Sequence, residues 1–348
     1  MGDRDFVATT NIYKLELLIL TMDYVRLGQT GLKVSRICLG CMSFGTGEDW
    51  RVEGEAAKRV LTRAWDLGIN FYDTANVYSN GRSEEIVGDF LDGRRNDAVL
   101  ATKVRGEMGP GPNQHGLSRA HIMWQVGESL RRLKTDYIDL YQIHRWDYET
   151  PIEETLSTLT DLVSQGKVRY IGASSMWAWQ FARALYTSDM KGFARFATMQ
   201  DLYNLLYREE EREMIPLCKA EGIGIIPWSP TAGGILSGRY FENGKLVTKE
   251  GDSKRVSPGS MGHVRYVGKP QNDQIVGRLV ELAKQKGATP NQVALAWLLE
   301  KRVTAPIVGT SKVEHLEEMV GALDVKLTEE ETKHLEEPYL PQPVTGFT

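Results

Sequence analysis

The chain has 348 residues, 41% hydrophobic and 25% charged, and a formal net charge of -4. These values exclude a disordered or fibrous chain and give no electrostatic reason to expect a nucleic-acid or anionic-membrane partner. Three cysteines fit a reducing, cytoplasmic setting better than a disulfide framework, and no apolar stretch reaches the roughly 18 residues of a membrane helix.

NIYKLELLIL (11–20) lacks a basic flank before it and a small-residue cleavage site after it. It does not read as a secretory signal. Residues 1–21 are instead expected to be a disordered extension ahead of a single domain over 22–348. VRLGQTGLKV then reads as a small hairpin. Eight short apolar runs follow, at 36–40, 69–73, 98–103, 137–144, 168–174, 196–200, 222–228 and 305–309. Between them lie amphipathic stretches: 55–68, with Ala57, Val60, Leu61 and Ala64 at helical spacing, then 118–133, 152–166 and 208–222. Strict strand–helix alternation implies parallel strands with right-handed crossovers, and eight repeats suit a (β/α)8 TIM barrel; a doubly wound open sheet is the rival. A long loop from about 229 to 271 follows the seventh run, and 272–287 is an additional helix before the one at 290–302.

At the C-terminal strand ends of a barrel, ionisable residues are candidates for chemistry. Asp73, Lys103 and His144 close their runs, and Tyr78 follows Asp73 in the next loop. Singly, each has an ordinary structural reading, but together they form a constellation. A phenol is a poor acid at neutral pH, and a buried ammonium beside it favours the phenolate. Lys103 is the candidate ammonium, Asp73 its counter-ion, and His144 a group to orient a carbonyl or pass a proton. Neither an HExxH metal motif nor a GxSxG elbow is present. A proton donor without a nucleophile or metal calls for an external reductant such as a nicotinamide hydride.

Two other motifs are set aside. Cys38 and Cys41 of CLGC lie three apart on an extended run, which points them to opposite faces. The glycines of GEMGPGPNQHG (106–116) do not open a helix after a strand with dinucleotide-fingerprint spacing.

MDYVRLGQTGLKVSRICLGCMSFG, NFYDTANVYSNGRSEEIVG, LATK, DYIDLYQIH, GKVRYIGASS, NLLYREEEREMIPLC, PWSPTAGGILSGRY and PIVGTSKVEHLEE, in this order, closely resemble the aldo-keto reductases over 22 to about 325. YQIHRWD and GASSMWAWQFARAL look most like microbial reductases of the versiconal hemiacetal acetate reductase type. The resemblance implies a (β/α)8 barrel that binds NADP(H) without a Rossmann motif and a tetrad of Asp73, Tyr78, Lys103 and His144, with Tyr78 as proton donor. It implies Ser174, Ser175 and Gln200 at the carboxamide, where Ser175 replaces the usual Asn, and Trp228 stacked on the nicotinamide, with Met42 also at the cofactor. Ser229, Thr231, Gly233, Gly234 and Leu236 fall in the pyrophosphate loop, and Gly309, Thr310, Ser311, Lys312, His315 and Glu318 at the adenosine end. There the family's Arg is His315 and its Asn is Met319.

Trp50, Trp146, Trp177 and Trp179 all follow strand ends and are expected to line an apolar, stacking substrate pocket. The reading is an NADPH-dependent reductase of bulky aromatic or polyketide-like aldehydes and ketones in secondary metabolism, with a small-molecule partner. The alternatives are a cofactor-sensing regulatory subunit of the same fold and a pathway enzyme with non-redox activity.

Overall fold

The computed structural model describes residues 22–347; the expected N-terminal extension lies outside the described residues. Eight short strands carry the architecture: β1 (Cys38–Gly40), β2 (Phe71–Asp73), β3 (Val99–Val104), β4 (Ile138–Ile143), β5 (Val168–Ser174), β6 (Phe196–Gln200), β7 (Gly224–Ile225) and β8 (Ile307–Gly309). Each pairs in parallel with its sequence neighbour, and β8 pairs with β1. Hydrogen bonds from Thr304 N to Ile225 O (2.7 Å) and from Ile307 N to Pro227 O (2.9 Å) join the two remaining edges. The sheet is thereby closed into a (β/α)8 barrel.

Successive strand residues alternate between two cores. Phe71, Val99, Ala101, Leu140 and Ile226 fill the barrel interior, while Tyr72, Leu100, Tyr141, Ile143 and Met199 face the helices. The predicted hairpin forms from Tyr24–Arg26 and Lys33–Ser35 and closes the floor, with Leu27 and Val34 in the interior core. Gly28 has no substitute at its tip: φ is +60°, and a Cβ there would lie 2.7 Å from the Gly224 amide nitrogen.

Helices α1 (Gly54–Asp66), α2 (Arg82–Leu91), α3 (Arg119–Arg132), α4 (Ile152–Ser164), α5 (Ala178–Lys191) and α6 (Met214–Ala220) follow the first six strands. In α1 the buried positions are Ala57, Val60, Leu61 and Ala64, the predicted stripe. The long connection after β7 holds a 3-10 turn (Ala232–Ser237), a two-residue ribbon and α7 (Met261–Tyr266). It leads to α8 (Pro270–Lys286), α9 (Pro290–Glu300), α10 (Val313–Val320) and α11 (Glu329–Glu336). Among the described residues no helix is long and apolar enough to cross a membrane.

Two local expectations change. The 208–222 stretch is a 3-10 turn (Glu209–Glu211) followed by the shorter α6, because Glu209 turns inward to accept bonds from Gln342 N (2.7 Å) and Tyr339 Oη (2.8 Å) of the C-terminal tail. Cys41 lies in a 3-10 turn rather than on the strand; both Cys38 and Cys41 are free, and burial raises both thiols, so neither is a thiolate nucleophile.

Candidate active site

The inward positions of the strands change character at their C-terminal ends. Above Phe71 comes Asp73, above Ala101 comes Lys103, above Leu140 come Gln142 and His144, and Gln200 ends β6. Lys103 is fully buried. Its ammonium donates to Asp73 Oδ1, to the Thr74 carbonyl (2.8 Å) and to the Tyr78 hydroxyl (3.3 Å). Burial works against this charge, but Asp73 and then Tyr78 outweigh it, so the lysine pKa is raised. Asp73 Oδ2 accepts from Gln142 Nε2 (2.9 Å) and Gln200 Nε2 (3.0 Å), so both carboxylate oxygens are held. The His144 ring meets the Tyr78 ring edge-on at 5.7 Å. Burial, then Lys103, Arg145 and Arg105, keep that imidazole pKa well below the ordinary histidine range, so His144 is neutral at physiological pH.

Tyr78 is placed by a tight loop. Ser79 and Asn80 both adopt left-handed φ (49° and 52°), a region that asparagine tolerates better than most side chains and serine rarely enters. Ser79 Oγ donates to Phe44 O (3.3 Å), Ser83 Oγ donates to Cys41 O (2.7 Å), and the Thr74 and Ser83 hydroxyls pair at 2.8 Å. These bonds tie the turn to the segments that follow β1 and β2.

A cleft of about 420 Å³ opens over this network, lined by Tyr78, His144, Arg145, Gln200 and Trp228 with Met42, Met261, Ile307 and Val308. A second lobe, also about 420 Å³, adjoins it and shares Thr231, Gly233, Arg255, Gly309 and Met319. Gly234, Thr310, Ser311, Lys312, His315 and Glu318 line this second lobe, as expected of one groove running from Tyr78 to α10. Ser229 lines the first lobe.

Several expected contacts are arranged differently. Leu236 is buried in the helix-facing core beneath the 3-10 turn and lines neither lobe. Ser174 and Ser175 lie behind the cleft surface with their hydroxyls engaged: Ser174 Oγ donates to Gln200 O (2.8 Å), and Ser175 Oγ accepts from Trp228 Nε1 (3.1 Å). The four tryptophans do not surround Tyr78. Trp146 is buried in the helix-facing core and packs on Trp179 at 6.4 Å, while Trp177 meets Phe347 at 4.9 Å. Trp50 lines the second lobe, between Arg51 (4.9 Å) and Arg255 (4.1 Å). None of the four lines the lobe over Tyr78, and each packs on an aromatic or guanidinium partner.

Sequence reasoning overlooked Gln142, Arg145, Arg239 and Arg255. Gln142 was within reach, since it shares the inward parity of His144 on β4. Arg239 and Arg255 come from the long loop, where no periodicity marks direction. They line the second lobe with Lys312, and Arg255 Nε is buried without a hydrogen-bond partner. Three cations in one lobe, one with an orphaned donor, beside a turn whose Gly233 and Gly234 have φ of 70° and 103°, make a donor set suited to phosphates.

The Aldo/keto reductase family model matches residues 36–339. Among similar proteins, "Aldo-keto reductase dtxS3" of Metarhizium robertsii is 43% identical, covering 94% of each chain. The versiconal hemiacetal acetate reductase of Aspergillus parasiticus is 41% identical over 93% of this chain and 98% of its own. A putative aryl-alcohol dehydrogenase, C977.14c of Schizosaccharomyces pombe, is 41% identical over 93% of this chain and 97% of its own.

Proposed function

The chain belongs to the aldo/keto reductase family, oxidoreductases of carbonyl and alcohol groups that use nicotinamide cofactors, and we propose that it is an NADPH-dependent reductase of aldehydes or ketones with Tyr78 as the acid. The observation that carries this reading is the Lys103 ammonium, fully buried, bonded to Asp73 and 3.3 Å from the Tyr78 hydroxyl.

The groove fits the cofactor. Arg239, Arg255 and Lys312 would hold the phosphates, Lys312 the 2′-phosphate in particular, and Trp228 would cover the ring that supplies the hydride. The remaining chemistry belongs to the protein. With the hydride for the carbonyl carbon supplied by the bound cofactor, Tyr78 would give its Oη proton to the carbonyl oxygen, which takes up the displaced π electrons. The phenolate left behind is stabilised by the Lys103 ammonium. Asp73 fixes the ammonium, and Gln142 and Gln200 fix Asp73, so no charge must be reorganised during the step. Neutral His144, beside Tyr78, is a hydrogen-bond donor to the same carbonyl oxygen.

The substrate's body would lie against the apolar wall of the first lobe to which Met261 contributes a flexible side chain, which suits aromatic or polyketide-like carbonyl compounds. The test follows NADPH oxidation on a matched carbonyl panel and cofactor affinity by fluorescence quenching. Expected are tighter binding of NADPH than NADH, a gap narrowed by Lys312→Ala, and higher kcat/KM for aromatic aldehydes than for glyceraldehyde. Equal affinity for the two cofactors, or no oxidation with any carbonyl, contradicts the proposal.

A further inference from the structure

We infer that Arg145 is a cofactor-binding residue: with Gln200 it holds the carboxamide of the nicotinamide, and the two serines expected there position Arg145 and Trp228 instead. The inference rests on the cofactor reading above.

A carboxamide offers one acceptor oxygen and one NH₂ donor, so its site needs a donor and an acceptor side by side. The serines are poorly placed to supply them. Ser174 Oγ already donates to the Gln200 carbonyl and accepts from Arg145 Nη1 (3.2 Å), and Ser175 Oγ is taken by the Trp228 indole N–H. Neither serine lines the cleft; Arg145 and Gln200 do.

The free atoms of those two residues are complementary. Gln200 Nε2 donates to Asp73 Oδ2 and to Gln142 Oε1 (3.1 Å). A carboxylate must be met by the NH₂ group, so the Gln200 amide can point only one way, and its Oε1 is left as an acceptor. Arg145 donates through Nη1 to the His144 carbonyl (2.6 Å) and to Ser174 Oγ, leaving Nε and Nη2 with no acceptor among the described residues. The guanidinium is therefore anchored at one corner and open at the others. Arg145 supplies the donor to the carboxamide oxygen, and Gln200 Oε1 accepts from the carboxamide NH₂.

The serines keep an indirect role. The Ser175 turn has φ of 47°, and its amide N–H is held by Asp201 Oδ1 (3.0 Å). That fixed turn sets the Trp228 indole, while Ser174 sets the guanidinium.

Equilibrium binding to the full chain tests this, with three probes. NADP⁺ carries the carboxamide, its thionicotinamide analogue replaces the acceptor oxygen by sulfur, and 2′,5′-ADP lacks the nicotinamide. Arg145→Met should weaken NADP⁺ binding roughly ten- to a hundred-fold, the scale of one hydrogen bond from a charged group. The parental protein should prefer NADP⁺ over the thio analogue, and Arg145→Met should abolish that preference, because the donor that distinguishes oxygen from sulfur is gone. Arg145→Lys, which keeps a cationic donor, should restore part of it. Affinity for 2′,5′-ADP should be the same in all three proteins, which also shows that the variants are folded.

Unchanged NADP⁺ affinity in Arg145→Met, or an oxygen-over-sulfur preference that survives the substitution, overturns the assignment. Equal losses for NADP⁺ and 2′,5′-ADP also overturn it, since the arginine would then be merely structural. If the parental protein binds neither NADP⁺ nor 2′,5′-ADP, the cofactor reading itself fails, and this assignment with it.

Discussion

The floor and the roof of the barrel interior are built from the same strands, two residues apart, with opposite chemistry. Phe71, Ala101 and Leu140 sit in an apolar layer closed by the hairpin residues Leu27 and Val34, whereas Asp73, Lys103 and Gln142 form a buried polar layer with no apolar filler between them. The lower layer gains from removing surface from water and needs no direction. The upper layer holds a charge pair out of water, which is tolerable only because each of its oxygens and protons has a partner. One layer stabilises the fold, and the other spends part of that stability on placing an ammonium beside a phenol.

The sharpest way to break this contrast is to remove the charge that the upper layer is built around. Lys103→Met leaves Asp73 buried and unpaired, which should cost about 3–5 kcal/mol of stability. Turnover should fall below detection even where the protein remains folded, as measured by urea unfolding alongside NADPH oxidation. A folded and active variant would mean that the ammonium is not part of the machinery.

One layer down, the consequences should separate. Leu140→Ala opens a cavity in the interior core and should destabilise by about 2–5 kcal/mol. The folded fraction should nevertheless keep kcat/KM within a few-fold of the parent, because Leu140 does not line the cleft. A loss of kcat as large as that from Lys103→Met would dissolve the distinction between the layers.

The smallest effect comes from pH. His144 is held neutral by burial and by Lys103, Arg145 and Arg105, with its pKa well below the ordinary value. In the unfolded chain the ring titrates near the usual value of about 6.5, so below that pH the unfolded state binds more protons and stability falls as pH falls. The urea midpoint should therefore be lower at pH 5 than at pH 7 by this contribution. The loss should be absent from His144→Asn. Two buried carboxyls act in the opposite sense over the same window: burial holds Asp201 and Glu210 above the ordinary carboxylate range, so the folded state keeps their protons. The difference between the two proteins' stability-versus-pH curves therefore carries the test; parallel curves would show that His144 titrates normally in the fold.

The same contrast explains what was legible in the sequence. Strand positions obey a two-residue period, so Asp73, Lys103 and His144 announced themselves as ionisable ends of apolar runs, and the eight runs matched the eight strands. Beyond the strand ends the chain turns, and the period no longer says where a side chain points. Trp146 and Trp177 are close to His144 and Ser174 in sequence but pack against Trp179 and Phe347. Ser175 turns into a left-handed conformation and gives its hydroxyl to Trp228, a partner 53 residues away. Arg255 comes from a loop without regular structure, and the break in the helix predicted at 208 depends on a tail more than 130 residues downstream. Such long-range pairings leave no local signal.

The central claim is that the upper layer exists to make Tyr78 an acid, and a single-turnover experiment on Tyr78→Phe tests it most directly. With saturating NADPH bound and an aromatic aldehyde added, the rate of NADPH oxidation should fall by about 10²–10⁴-fold, the usual contribution of a positioned acid. The NADPH dissociation constant should stay within a few-fold of the parent's. A Tyr78→Phe protein that turns over at the parental rate would contradict the account, whatever the other residues do.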